Sequence, residues 1–184
     1  AMGHLFTSGS DRGLYRTIDG GQQWEKVLFI NDSTGIIDLA MHPTNPEIIY
    51  AAAWQRVRTA YRRAYGGPSS GIYKSQDGGN TWQKLMSGLP EAAGRIGITI
   101  SPVDPDILYA LYEDESNGYL KGIFRSNNNG NTWETRSLAG IDDPPYSYWF
   151  GKIIADPIDT NTVYLTSLDL YKSTNGGMIW NDIL

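Results

Sequence analysis

The stretch GIYKSQDGGNTW, residues 71–82, recurs as GLYRTIDGGQQW at 13–24, GIFRSNNNGNTW at 122–133 and DLYKSTNGGMIW at 169–180. Four copies at intervals of roughly 50 residues point to a repeat architecture. Each copy reads as a short strand, a tight turn and the opening of a second strand. The strand carries Tyr15, Tyr73, Phe124 or Tyr171, then a basic residue, then Thr17, Ser75, Ser126 or Ser173. The turn carries Asp19, Asp77, Asn128 or Asn175, then Gly21, Gly79, Gly130 or Gly177. An Asp or Asn accepts N–H groups of its own turn, the hydroxyl two residues earlier braces the same loop, and glycine supplies a positive φ without steric cost. Trp24, Trp82, Trp133 and Trp180 close the unit, each expected to act as a packing wedge.

A second unit precedes three of the copies: IIDLAMHPTNPEIIYAAA from Ile36, RIGITISPVDPDILYALY from Arg95 and KIIADPIDTNTVYLTS from Lys152. Each is a strand, a turn marked by Pro43, Pro102 or Pro157, and a second strand holding Tyr50, Tyr109 or Tyr164 at matched places. In order, the repeat is four antiparallel strands, here A to D, which is the blade of an all-β propeller. The expected organisation is an incomplete blade at 1–30 and complete blades at 31–87, 88–138 and 139–184. Because an open sheet edge is a liability, the chain is expected to be a fragment of a larger propeller or to close by association with another copy.

Composition narrows the chemistry. The 184 residues are 40% hydrophobic with 21 glycines and 12 tyrosines, suited to many turns and strands. A net charge of -5 argues against nucleic acid as the main partner. There are no cysteines and only His4 and His42, so neither a metal site nor a cofactor is expected. No apolar run approaches the roughly 18 residues of a membrane helix, and no membrane insertion is expected.

The unit Ser/Thr-x-Asp-x-Gly-x-x-Trp resembles the Asp-box, or BNR repeat, of sialidases, sortilin-type propellers and xyloglucanase-type glycosidases. The run from HPTNPEIIYAAAWQRVR to SGIYKSQDGGNTW is especially similar to bacterial sortilin-like propellers. Asn128 and Asn175 depart from the family's Asp, and Gln23 and Ile179 from its usual Thr. The resemblance implies a propeller, a secreted or periplasmic location, and a non-catalytic recognition module for a peptide, protein or glycan. It also implies an alternative, part of a glycoside hydrolase whose site needs further blades or a second propeller.

The nearly constant turns between strands C and D read as structural, so a site belongs on the opposite face, built from the B–C and D–A loops. The longest such loop, WQRVRTAYRRAYGGPSS at 54–70, offers Trp54, Arg56, Arg58, Tyr61, Arg62, Arg63 and Tyr65, able to hold anions bidentately and to stack on rings. The plainer reading pairs these arginines with Glu113, Asp114 and Glu115 of the neighbouring B–C loop. Tyr146, Tyr148 and Trp149 of DDPPYSYW, with Arg95 and Lys152 at the start of A strands, complete the candidate ligand surface. A glycosidase generally needs two carboxyl groups about 5–9.5 Å apart. The candidates here are Asp142, Asp143 and Glu113.

Overall fold

Short apolar segments separated by glycine and proline turns pair with their chain neighbours, which keeps every connection local. The computed structural model describes residues 1–59, 61, 64–142 and 151–184, and these form four antiparallel sheets. The first holds β1 (Leu14–Arg16) and β2 (Glu25–Leu28). The second holds β3 (Thr34–Met41), β4 (Ile49–Gln55), β5 (Gly71–Ser75) and β6 (Gln83–Lys84). The third holds β7 (Ile96–Ile100), β8 (Leu108–Glu113), β9 (Leu120–Ser126) and β10 (Glu134–Arg136). The fourth holds β11 (Lys152–Ala155), β12 (Val163–Thr166), β13 (Leu170–Ser173) and β14 (Asn181–Asp182). Strands follow one another edge to edge in chain order, so the architecture is three complete blades and part of a fourth.

The core lies between blades. Tyr50, Ala52 and Ile72 of the second sheet pack against Ile96, Ile98 and Trp133 of the third. Tyr109, Leu111 and Ile123 of the third pack against Ile153, Ala155 and Trp180 of the fourth. Each such aliphatic side chain contributes about 1.5–3 kcal/mol through burial. Trp133 and Trp180 are wedges as the sequence suggests, 5% and 2% exposed. Trp24 is not, at 60% exposed, because among the described residues no preceding blade lies against its turn.

The turns are braced from within. In the second blade the Ser75 hydroxyl donates to Asp77 Oδ1 at 2.8 Å and accepts the Gly79 N–H at 2.8 Å, while Asp77 Oδ1 accepts the Thr81 N–H at 2.8 Å. Asn128 does the same work with its amide oxygen, which accepts the Thr132 N–H at 2.9 Å. Its Nδ2 donates to Thr132 Oγ1 at 2.7 Å, so the departure from Asp costs no bond.

Neighbouring blades are also stapled by the basic residue that follows the strand-C aromatic. Arg16 donates to the Gly78 carbonyl at 2.7 Å and Lys74 to the Asn129 carbonyl at 2.6 Å, each acceptor lying in the next blade's turn. Arg125 donates to Asn161 Oδ1 of the fourth blade at 3.0 Å. This reach explains why Lys74 is only 6% exposed.

Candidate functional site

Strand B ends on the face opposite the braced turns, and the ends of β4 and β8 bring several predicted residues together there. Trp54 closes the apolar run of β4 and is 6% exposed, its indole N–H donating to the Tyr65 carbonyl at 2.6 Å. That bond folds the 54–70 loop back on its own start. The Arg56 guanidinium lies 4.4 Å from the Trp54 ring centroid and is itself buried, an arrangement that favours a delocalised cation over the ring face. Trp54 and Arg56 line a cavity of about 230 Å³ with Met2, Gly3, Leu5 and Arg12.

Beside them sits Glu113, the last residue of β8, with 0% exposure. Its backbone is fixed on both sides: the Glu113 N–H donates to the Arg95 carbonyl at 3.0 Å, and the Gly94 N–H to the Glu113 carbonyl at 2.7 Å. Neither carboxyl oxygen completes a hydrogen bond. Burial pushes the carboxyl up to about 8, opposed by the charge of Arg95, by the nearby Arg95 N–H, which stands outside hydrogen-bond geometry, and by the charge of Arg56. Glu113 is therefore mostly protonated at neutral pH. Being fully buried, it presents no oxygen to a solvent-borne glycosidic bond in this arrangement.

The acidic run at the end of β8 has local partners among the described residues. Glu115 pairs with Lys121 at 2.6 Å, and Asp114 accepts the Ser116 N–H at 2.8 Å together with the Ser116 hydroxyl. Those local donors hold the Asp114 carboxyl below its ordinary range. Among the described residues the acidic run is split: Asp114 and Glu115 close their own loop, and Glu113 feels the charges of Arg95 and Arg56, while Arg62 and Arg63 lie outside the described residues.

The remaining candidates are more dispersed. Arg58 lies with its guanidinium 5.9 Å from the Phe6 ring, and Tyr61 is 100% exposed. Lys152 opens β11 with an exposed side chain, and Asp142 is exposed. Arg62, Arg63, Asp143, Tyr146, Tyr148 and Trp149 lie outside the described residues. Sequence reasoning passed over Arg12, which is 1% exposed and donates to the carbonyls of His4 at 2.6 Å and Thr7 at 3.1 Å. Its place next to Gly13 at the start of a strand C was the available signal. Among the described residues no group of His, Cys, Asp or Glu side chains is arranged to hold a metal ion, and no helix is long and apolar enough to cross a membrane.

Repeated braced turns and four-stranded antiparallel sheets define the class, an all-β fold of propeller-type blades. No family model matches the chain. Xyloglucanase Xgh74A of Acetivibrio thermocellus is 27% identical over 197 residues, covering 93% of this chain and 22% of that protein. A xyloglucanase of a Paenibacillus species is 25% identical over 202 residues, covering 93% and 19%. The chain spans about a fifth of the length of the curated relatives it matches. Among solved structures, an ancestral GH74 enzyme superposes with a TM-score of 0.68 at 23% identity over 96% of this chain and 22% of that one. YCF48 bound to D1 peptide superposes at 0.56 with 12% identity over 82% and 41%. The structural likenesses concern the fold.

Proposed function

We propose that this chain is a segment of a xyloglucanase-like propeller and that its face opposite the braced turns contributes binding surface for a β-glucan polysaccharide. The observation that carries this is the match over 93% of the chain to xyloglucanases. It moves the weight from a stand-alone recognition module to the glycoside-hydrolase alternative. Within that reading the segment supplies contacts rather than a complete catalytic pair. Glu113 is sealed from solvent, and Asp142 is the exposed carboxylate among the described candidates. A polysaccharide substrate also fits a secreted or periplasmic location, with the remaining blades of a parent propeller as partners.

Isothermal titration with xyloglucan oligosaccharides tests this. Binding is expected, weakened on Arg58→Ala combined with Tyr61→Ala, with no release of reducing ends from the isolated chain. Absence of binding at millimolar sugar would remove the reading. Turnover lost on Asp142→Asn would instead show that the segment carries chemistry of its own.

A second reading, a sortilin-like module for peptides, is favoured by the fold shared with YCF48, whose structure holds a peptide. Titration with a random extended-peptide library separates the two. Peptide binding without sugar binding would establish this second reading.

A further inference from the structure

The cavity between residues 2–12 and the end of β4 is a site that the polysaccharide reading does not use. Backbone bonds tie its walls together. The Arg58 N–H donates to the Leu5 carbonyl, the Arg56 N–H to the Ser33 carbonyl and the Gly9 N–H to the Asp32 carbonyl, each at 2.9 Å. Gly3 stands at φ 63, and a Cβ there would meet Arg12 Cγ at 2.8 Å, so this segment lies directly on the arginine stem. The enclosed space is about 230 Å³. An apolar cavity of about 150 Å³ already admits benzene. Leu5, in one wall, is 40% exposed, so that wall reaches the surface.

Two cations stand in the walls, and both Arg12 and Arg56 are buried. Arg12 commits its terminal nitrogens to the carbonyls of His4 and Thr7, which fixes the guanidinium, while its buried Nε has no hydrogen-bond partner. Arg56 is held over the Trp54 ring. None of the described lining residues is acidic. Asp11 stands close enough for its charge to oppose the effect of burial on Arg12, and Glu113, whose surroundings include Arg56, is mostly protonated at neutral pH. Guanidinium groups among apolar walls attract an anion more strongly than exposed ones do, because little water screens them. Their planar fork suits a carboxylate. The rest of the lining, Met2, Leu5 and Trp54, offers apolar surface and suits a ligand body without hydroxyl groups.

We infer that this cavity binds a small organic carboxylate with an apolar body, its acid group on Arg12 and Arg56 and its body against Met2, Leu5 and Trp54. Arg12 contributes through Nε, the donor its carbonyl contacts leave open, and Arg56 contributes charge from the opposite wall. The inference is independent of the polysaccharide reading, since a β-glucan offers no anionic group.

Phenylacetate is the probe, followed by the NMR signal of the Trp54 indole N–H and by titration calorimetry. The signal is expected to shift on addition of the acid. Phenylacetamide has the same shape without the charge and should bind roughly ten-fold more weakly, the loss of one charge-assisted contact. Arg56→Gln should weaken phenylacetate by a similar factor while leaving phenylacetamide nearly unchanged, a charge-specific loss that unfolding would not produce. Met2→Trp keeps both arginines but fills the cavity, and should remove binding of both compounds. Glucuronate, equally charged but hydroxylated, should bind more weakly than phenylacetate. Equal binding of acid and amide, tighter binding of glucuronate, phenylacetate binding indifferent to Arg56→Gln or to Met2→Trp, or no Trp54 shift at millimolar acid would each overturn the inference.

Discussion

Two carboxyl groups stand at opposite ends of the blades and show how differently the two faces are built. Asp77, in the turn between β5 and β6, receives the Thr81 hydroxyl at 2.6 Å, the Thr81 N–H at 2.8 Å and the Ser75 hydroxyl at 2.8 Å. Those donors hold it down to about 2. Glu113, where β8 ends on the other face, receives no hydrogen bond and is pushed up to about 8 by burial. The carboxyl group is driven in opposite directions because one is held by three donors and the other is cut off from water without a hydrogen bond, the charges of Arg95 and Arg56 offsetting only part of that cost. A face whose polar groups are already satisfied stabilises the fold. A face that leaves a buried carboxyl unsatisfied is where a proton or a ligand has something to change.

The largest effect belongs to the turn face. Trp180, 2% exposed between the third and fourth blades, is expected to cost about 3–5 kcal/mol on replacement by Ala, read from urea unfolding. Trp24→Ala, at the same motif position but 60% exposed, should shift stability by about 0.5 kcal/mol or less. Equal losses would mean that the motif itself, rather than the blade packed on it, carries the stability.

The opposite face is tested by Glu113→Gln. A carboxyl raised to about 8 in the folded protein keeps a proton that the unfolded chain releases near its ordinary value of about 4.3. Stability is therefore retained below the ordinary value and declines as pH rises toward 8, by up to about 1.4 kcal/mol per pH unit. The Gln variant should lose that slope and gain relative stability at alkaline pH. Urea midpoints measured at pH 5 and pH 8 check it, and parallel slopes for the two proteins would show that Glu113 is not held neutral.

Much of the turn face was legible because it is written four times. Recurrence separated Ser75, Asp77, Gly79 and Trp82 from their surroundings, and the strand alternation gave the blade order. The staples were not legible. Lys74 reads as an outward charge until Asn129, 55 residues later, is folded next to it. The site was legible only in part for the same reason. Trp54, Arg56 and Glu113 were marked by their place on the variable loops, and Arg95 by its place at the start of a strand A. The isolation of Glu113 from Asp114 and Glu115 depends on Gly94, Arg95 and Arg56, which arrive from other segments. No local pattern encodes which acidic residue is turned inward.

A smaller effect sharpens how the turns are satisfied. The Ser126 hydroxyl donates to Asn128 Oδ1 at 2.9 Å and accepts the Gly130 N–H at 2.9 Å in a site that is 1% exposed. Ser126→Ala leaves that N–H without its acceptor and should cost about 1–3 kcal/mol. Thermal unfolding monitored by tryptophan emission would detect it. A neutral result would mean that the Asn side chain alone holds the turn.

The smallest effect at neutral pH is expected from Asp77→Asn, because the third blade already shows the outcome. There Asn128 keeps its oxygen on the Thr132 N–H and turns its Nδ2 onto Thr132 Oγ1, and Thr81 stands ready for the same exchange at residue 77. The melting temperature at pH 7 should be nearly unchanged. Acid should separate the two proteins. A carboxyl held down to about 2 contributes stability that is present above its ordinary value of about 3.9 and is lost as pH falls toward 2, whereas an amide does not titrate. Between pH 4 and pH 2 the natural chain should lose more stability than the Asn variant, and Asp77→Ala should be weakened throughout. If the Asn variant were as acid-sensitive as the natural chain, the stability of the turn face would not rest on the charge of Asp77, and the contrast with Glu113 would reduce to burial alone.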